Sequence, residues 1–368
     1  MPLRNRRQFL GTSAALALAL GCGKKSVSGP YAGRELNIFA YGGGHEATMR
    51  DVFVPHFEAL TGASVTIHAG WRDSMARLKA SPTNAPPFDL MITDAIEGYP
   101  AAREGLFAQI DPLAIPNLTQ LYPATLDNWV VKQGYGITYP DSVLTFAFHK
   151  IAVPDAPVTW ADLLRPELAG KLGLYKEFYM SLYTFACALA ALEGKPGTAR
   201  QLIETDIDSV MAFAKKHRRR IKYWWPTSTA MILSLANRDC AAGNMHSPEY
   251  LQALREKPEL GATVPPADRA FVQVFWAATA GSPNLDLAEL AINELFSYDM
   301  QLGFSRRGQA TSRLDVAEKM AADDPVWKSL YPHSRRQLSD LNYYPYDTYA
   351  KQWNDLSDRW DRTVLRDG

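Results

Sequence analysis

The sequence predicts an α/β fold of two lobes with a cleft and a hinge between them. Short apolar runs of strand character alternate with segments whose apolar residues repeat at helical spacing, the mark of a parallel sheet covered by helices. These units fall into two groups, and the strand pattern that resumes at Phe271 completes the first group. A chain of 368 residues also exceeds what one core needs, so two lobes of roughly 100 to 200 residues each are expected.

In chain order, Glu35 to Ala40 (ELNIFA) reads as the first strand and runs into Tyr41-Gly42-Gly43-Gly44. A helix from His45 to Thr61 follows, with Met49, Val52, Phe53, Phe57 and Leu60 spaced for one buried face. Ser64 to His68 is the next strand, Asp73 to Ala80 a helix, Asp89 to Thr93 a strand, and Tyr99 to Glu104 a helix. The second group begins near Tyr135, with strands over Tyr135 to Tyr139 and Leu144 to His149 and a helix capped by Thr159. Lys171 to Tyr175, the helix around Ser181 to Leu192, the helix Thr229 to Asn237 and the strand Cys240 to Met245 complete it. After Phe271 to Phe275 (FVQVF) come a helix from Leu285 to Tyr298 and a final amphipathic helix, Asp347 to Leu365. The expected division is 30–139 plus 271–314 for one lobe, 140–270 for the other, and 315–368 as a segment bracing the hinge side.

Arg4, Arg6 and Arg7 precede the apolar run Phe9 to Leu20, which is too short to span a bilayer, so the N-terminus reads as an export signal. Asn5-Arg6-Arg7-Gln8-Phe9-Leu10 resembles a twin-arginine signal. Leu18-Ala19-Leu20-Gly21-Cys22 resembles a lipoprotein box, with the order at Ala19 and Leu20 reversed from the usual one; this implies lipidation of Cys22. Residues 1–29 are thus expected to be signal, lipobox and a small polar tether. Cys187 and Cys240 read as small buried residues rather than a disulfide or metal pair.

Several phrases, in order, resemble the bacterial periplasmic binding proteins of the spermidine/putrescine type. They are Leu36 to Gly44 with the helix ending Phe57-Glu58-Ala59-Leu60-Thr61-Gly62, and Phe88 to Asp94 with Glu104 to Asp111. Tyr135 to Tyr139 and Thr159 to Leu172 (TWADLLRPELAGKL) extend the match over nearly the whole chain beyond residue 29. The resemblance implies a type II two-lobed periplasmic binding fold serving an ABC importer as its extracytoplasmic receptor. It further implies capture of a polyamine-like or other organic amine, delivery to a membrane permease, and a separate ATPase. A monomer without a cofactor is expected, with no catalytic residue.

In open α/β lobes ligands sit at the carboxyl ends of strands. That rule selects Tyr41, Gly43, Thr93, Asp94, Tyr139, Asp141, Tyr175, Glu177 and His246. Trp224, Trp225 and Thr227 lie where the family resembled places an aromatic wall; adjacent residues of an extended segment face opposite ways, so one tryptophan is core. Gln273 lies on the late strand, where the acid of the resembled family aligns with Val274. Glu177 is expected as the carboxylate for one cationic end, and Val274 argues against a symmetrical diamine.

Lys plus Arg equal Asp plus Glu at 39 each, so no bulk field favours nucleic acid, and the run Lys215 to Arg220 reads as a solvated helix end. The histidines show no metal spacing. Tyr343-Tyr344 is similar to the phenolate pair of ferric-ion receptors, but aromatic packing is the expected role. An exported enzyme on the same fold is the alternative class, without a nucleophile elbow or cofactor motif to support it.

Overall fold

The computed structural model describes residues 29–71, 73–339 and 341–366. The export signal and Cys22 lie outside the described residues. Among the described residues nine strands are joined by helices: β1 Glu35–Tyr41, β2 Ser64–Gly70, β3 Leu90–Asp94, β4 Ile137–His149, β5 Leu172–Tyr175, β6 Ile221–Trp225, β7 Ala242–His246, β8 Leu260–Thr263 and β9 Phe271–Ala278. Their lateral order is β2-β1-β3-β9-β4-β7-β5-β6, with β8 also on β4.

One strand carries the chain from one lobe to the other. The two strands expected over 135–139 and 144–149 are a single strand, β4. Its first half pairs with β9 and its second half with β7 and β8, and the register shifts between Pro140 and Val143. Proline cannot donate a ladder hydrogen bond, so Pro140 is a natural place for the pairing to change. The chain returns through β9, and a third crossing runs beside it. There the Phe271 amide donates to the Asn342 carbonyl at 2.8 Å, and Phe271 bridges Tyr343 in parallel.

The C-terminal segment packs under these crossings. Val143 of β4 and Phe271 of β9 share a separate core with Val316, Trp327, Leu330 and Tyr331. The Tyr331 hydroxyl meets Ser247 Oγ at 2.6 Å, and Ser247 Oγ accepts from the Val143 amide at 2.9 Å. The last helix, Tyr346–Trp360, touches both lobes. Asp347 faces Arg103 at 3.9 Å on one side, while Tyr349 and Trp360 donate to the carbonyls of Tyr179 and Lys176 on the other.

Local chemistry explains where the helices depart from expectation. The first helix breaks into Gly44–Thr48, a π-helical turn Met49–Phe53, and Val54–Thr61, because Pro55 has no amide hydrogen for the ladder. Asp94 accepts from the amides of Ile96 and Glu97 and so starts the next helix, Ala95–Arg103, earlier than expected. Ser297 caps a new helix, Tyr298–Arg306, and ends the preceding one at Leu295. Thr159 and Asp162 form a reciprocal capping box on a 3-10 turn, Trp160–Leu164. The strands β6 and β8 and the helix Ser247–Glu256 were not expected from sequence. Cys187 and Cys240 are buried and unbridged. Among the described residues no helix is long and apolar enough to cross a membrane.

Candidate functional site

The strand registers bring two sets of strand ends together. Asp94 at the end of β3 is opposite Val274, and Val274 is opposite Tyr139 of β4. Five residues later, Leu144 of β4 is opposite His246 at the end of β7. β1 and β2 run parallel with β3, and β5 and β6 run parallel with β7. The carboxyl ends of both sets therefore face one another across the Pro140 to Val143 crossing, which defines the interlobe cleft.

On the first side Gly43, at φ 86° and ψ −131°, holds a conformation open to glycine and turns the chain into the short helix that carries His45. Tyr41 stacks on Trp71 with ring centres 4.9 Å apart and meets the His45 ring at 5.9 Å. Trp71 is 61% exposed, an unusual state for so large an apolar ring. Burial pushes the Tyr41 phenol well above its usual range, reinforced by the negative charge of Asp94, Asp141 and Glu97. Thr93 is buried in the ladder, and Tyr139 is buried against Phe296. Gln273 is buried; its Oε1 accepts from the Tyr99 hydroxyl at 2.9 Å and its backbone N–H donates to Tyr346 Oη at 3.0 Å.

Asp141 sits in the crossing itself. Burial raises its carboxyl to about 7, and the negative charge of Glu249 adds to the shift. Glu249 lies in the first turn of Ser247–Glu256 on the second lobe; its side chain is exposed, and desolvation by the surrounding protein still shifts its carboxyl upward. Among the described residues neither acid forms a salt bridge, and Ser142 hydrogen-bonds the Asp141 side chain.

On the second side the Tyr175 amide donates to Asn244 Oδ1 at 2.9 Å, tying β5 to β7. Its ring packs on Trp225 at 4.5 Å and on Tyr179 at 5.8 Å. Tyr179 continues to His246 and Tyr344, which share a hydrogen bond of 3.0 Å. Burial lowers His246 to about 3 and His45 to about 4, so both rings are neutral at physiological pH.

The structure separates the adjacent tryptophans. Trp225 shares the Tyr175 face, and Trp224 meets Trp360 of the last helix edge-on at 5.6 Å. Glu177 lies beside Lys176 at 3.8 Å in a groove with Ser357 and Trp360, away from the acids of the crossing. Thr227 is exposed and caps the helix Ser228–Ala236. Tyr343 and Tyr344 do not act as a pair: Tyr344 is held by His246 and neighbouring rings, while Tyr343 Oη is buried with no hydrogen-bond partner. Among the described residues no group of three or more His, Cys, Asp or Glu could hold a metal ion.

Sequence reasoning does not single out His45, Trp71, Tyr179, Glu249 or Tyr346, and it assigns Tyr343 to packing. The strand-end rule applied to β2 would have found Trp71, and Ser247-Pro248 is a helix-start signal that would have placed Glu249.

The profile of the family described as bacterial extracellular solute-binding protein matches residues 53–331. Among solved structures, an ABC transporter substrate-binding protein from Bradyrhizobium japonicum superposes with a TM-score of 0.75 at 16% identity, covering 90% of this chain and 99% of that one. A spermidine/putrescine ABC transporter substrate-binding protein from Streptococcus pneumoniae gives 0.70 at 18%, covering 90% and 99%. The binding protein AgtB from A. tumefaciens, in complex with agropinic acid, gives 0.68 at 16%, with the same coverage. No curated protein matches the sequence.

Proposed function

The chain belongs to the bacterial extracellular solute-binding protein family, and from that premise we propose that it captures a small amine in its interlobe cleft for an ABC importer. The family is one of extracytoplasmic binding proteins rather than enzymes. The observation that carries the amine reading is Asp141, half-buried in the crossing and raised to about 7, with the exposed Glu249 of the second lobe adding to the shift and neither acid in a salt bridge among the described residues. Asp141 is half-buried, with a second acid near it and no counter-ion, and an incoming ammonium group relieves that charge. The Tyr41 and Trp71 stack adds ring faces that favour a cation by roughly 0.5 to 2 kcal/mol.

Residues 30–139 with 271–314 act as one lobe, 140–270 as the other, and 315–368 as a brace across them. Closure about the crossings traps the solute, and the closed form docks on the permease. Tyr41, Asp94, Tyr139, Asp141, Tyr175, Trp225, His246 and Gln273 belong to the cleft. Gly43 shapes the turn beside it, and Thr93 holds β3 in register. Glu177, Trp224 and Thr227 support the second lobe from outside that cluster. Arg6-Arg7 directs export, Cys22 carries the lipid anchor, and the protein works as a monomer.

Native mass spectrometry of protein purified without refolding tests the reading. One cationic solute per chain, released chemically unchanged, is expected. An anionic solute, or a solute converted to product, overturns it.

A further inference from the structure

A face of one charge sign lies at the pole of the second lobe. The protein as a whole is balanced, yet between Asp208 and Asp239 the sequence holds no acidic residue, and six lysines and arginines fall from Lys215 to Lys222. The fold adds to this run from two other segments. The helix Ile207–His217 packs against the C-terminal π-helical turn Asp361–Leu365, and Arg218 Nη1 donates to the carbonyls of Thr363 at 3.2 Å and Arg366 at 2.8 Å. Those bonds bring Arg362 and Arg366 beside the run. On its other flank the Gly170 amide donates to the Arg220 carbonyl at 3.0 Å, which brings Lys171. Lys171, Lys215, Lys216, Arg219, Arg362 and Arg366 are all exposed, and none of them forms an ion pair among the described residues. Asp208, the last acid before the run, is paired with Arg359, and Asp361 lines the groove of Lys176. Like charges held together repel one another, and an external anionic surface offsets that repulsion.

The place of this face in the fold says which surface. The run precedes β6, the last strand of the sheet, so it sits at the amino ends of the second lobe's strands, away from the cleft. Gly29 packs on Thr61 near the amino end of β1, the matching pole of the first lobe. Cys22, the proposed anchor, stands seven residues earlier, a reach of at most about 25 Å from the membrane. The family is extracytoplasmic, where nucleic acid is absent and phospholipid headgroups present a continuous anionic surface. We infer that the basic face of the second lobe binds anionic phospholipid headgroups, so that anchor and face hold the two poles on the membrane and lay the long axis of the protein along it. Alone, such a contact is weak and lost in high salt; it orients a protein that the lipid anchor retains. Neither the cleft nor its solute enters this inference.

Co-sedimentation of the full chain carrying Cys22→Ser, which has no lipid of its own, tests it with vesicles of phosphatidylcholine alone or mixed with phosphatidylglycerol. The protein should sediment with the mixed vesicles at low salt, stay in solution with phosphatidylcholine alone, and be released at high salt. Each basic residue near anionic lipid strengthens binding roughly fivefold, so Lys215→Glu, Lys216→Glu and Arg219→Glu together should weaken it at least roughly a hundredfold. Lys328→Glu, Arg335→Glu and Arg336→Glu change the net charge equally at exposed positions of the brace, and that protein should bind as wild type does. Both should melt as wild type does; if the first melts lower, glutamine at the same three positions replaces glutamate. Soluble sn-glycerol 3-phosphate should not displace the protein, because many weak contacts to a surface hold it. No preference for phosphatidylglycerol, or equal weakening in both triple variants, overturns the inference. So does release by sn-glycerol 3-phosphate, which would mark a pocket for a soluble anion.

Discussion

Asp94 on β3 lies directly opposite Val274 on β9, so the acid and the apolar residue share one row of the sheet at the cleft edge. Where the sequence resemblance expects an acid at 274, the neighbouring strand supplies one instead. Val274 is fully buried. Val274→Asp would place two carboxylates on adjacent strands, and it should destabilise the ligand-free protein by a few kcal/mol. Putrescine should recover more of that loss than it adds to wild type, read as the shift in melting temperature. An equal shift in both proteins would place the diamine elsewhere.

Asp94 does two things that substitution can separate. Its Oδ1 caps the helix Ala95–Arg103 by accepting from Ile96 and Glu97. Asparagine caps about as well as aspartate, whereas alanine loses roughly 1 kcal/mol. Asp94→Asn should therefore keep its stability and lose amine affinity, and Asp94→Ala should lose both. Thermal melts paired with calorimetry on the two variants decide this.

Asp141 predicts a pH dependence with a definite sign. Its carboxyl titrates at about 7 in the folded chain, against roughly 3.9 when unfolded. Between those values the folded state holds the extra proton, so its contribution falls as pH rises and is gone above 7. His45 at about 4 and His246 at about 3 act oppositely below their unfolded value. The difference between wild type and Asp141→Asn isolates the aspartate, and wild type should lose ground from pH 4 to 7. Amine affinity should rise over the upper part of that range in wild type and stay flat in the variant.

Gly243 on β7 is opposite Gly173 on β5, and a methyl group there would meet the Gly173 carbonyl oxygen at 1.7 Å. Backbone cannot yield as a side chain does. Gly243→Ala should cost at least 1 to 3 kcal/mol, on the order of core overpacking, and widen the second lobe where Tyr175 is tied to Asn244. Denaturant melts check the loss.

The layered fold was legible because it is written locally. Ser64 to His68 and Asp89 to Thr93 have strand spacing, and Thr159 with Asp162 announces a cap. The cleft was legible only in part. Tyr41 and Asp94 end their strands, as the strand-end rule expects, whereas Asp141 lies within β4 at its change of pairing. His45 looks like any residue after a glycine run, and Tyr343 reads with Tyr344 as packing; only the fold shows one hydroxyl bonded and the other without a partner. Contacts such as Tyr99 to Gln273 join residues far apart in sequence, and no local period encodes them. Glu177 and Trp224 follow the same strand-end rule yet meet the last helix, because a strand end offers two faces and the rule does not choose between them.

Cys22→Ser tests the anchor independently of the cleft. The variant should move from the membrane fraction to the soluble one while binding the same solute. A wild-type protein that is already soluble would leave signal cleavage without lipidation.

A crystal structure of the protein purified with its solute tests the central claim most directly. The account predicts one small molecule between the strand ends, its amine nitrogen about 3 Å from the Asp141 carboxylate and its body over Tyr41. A solute held instead in the groove of Glu177 and Trp360, or an anion in the cleft, would contradict it.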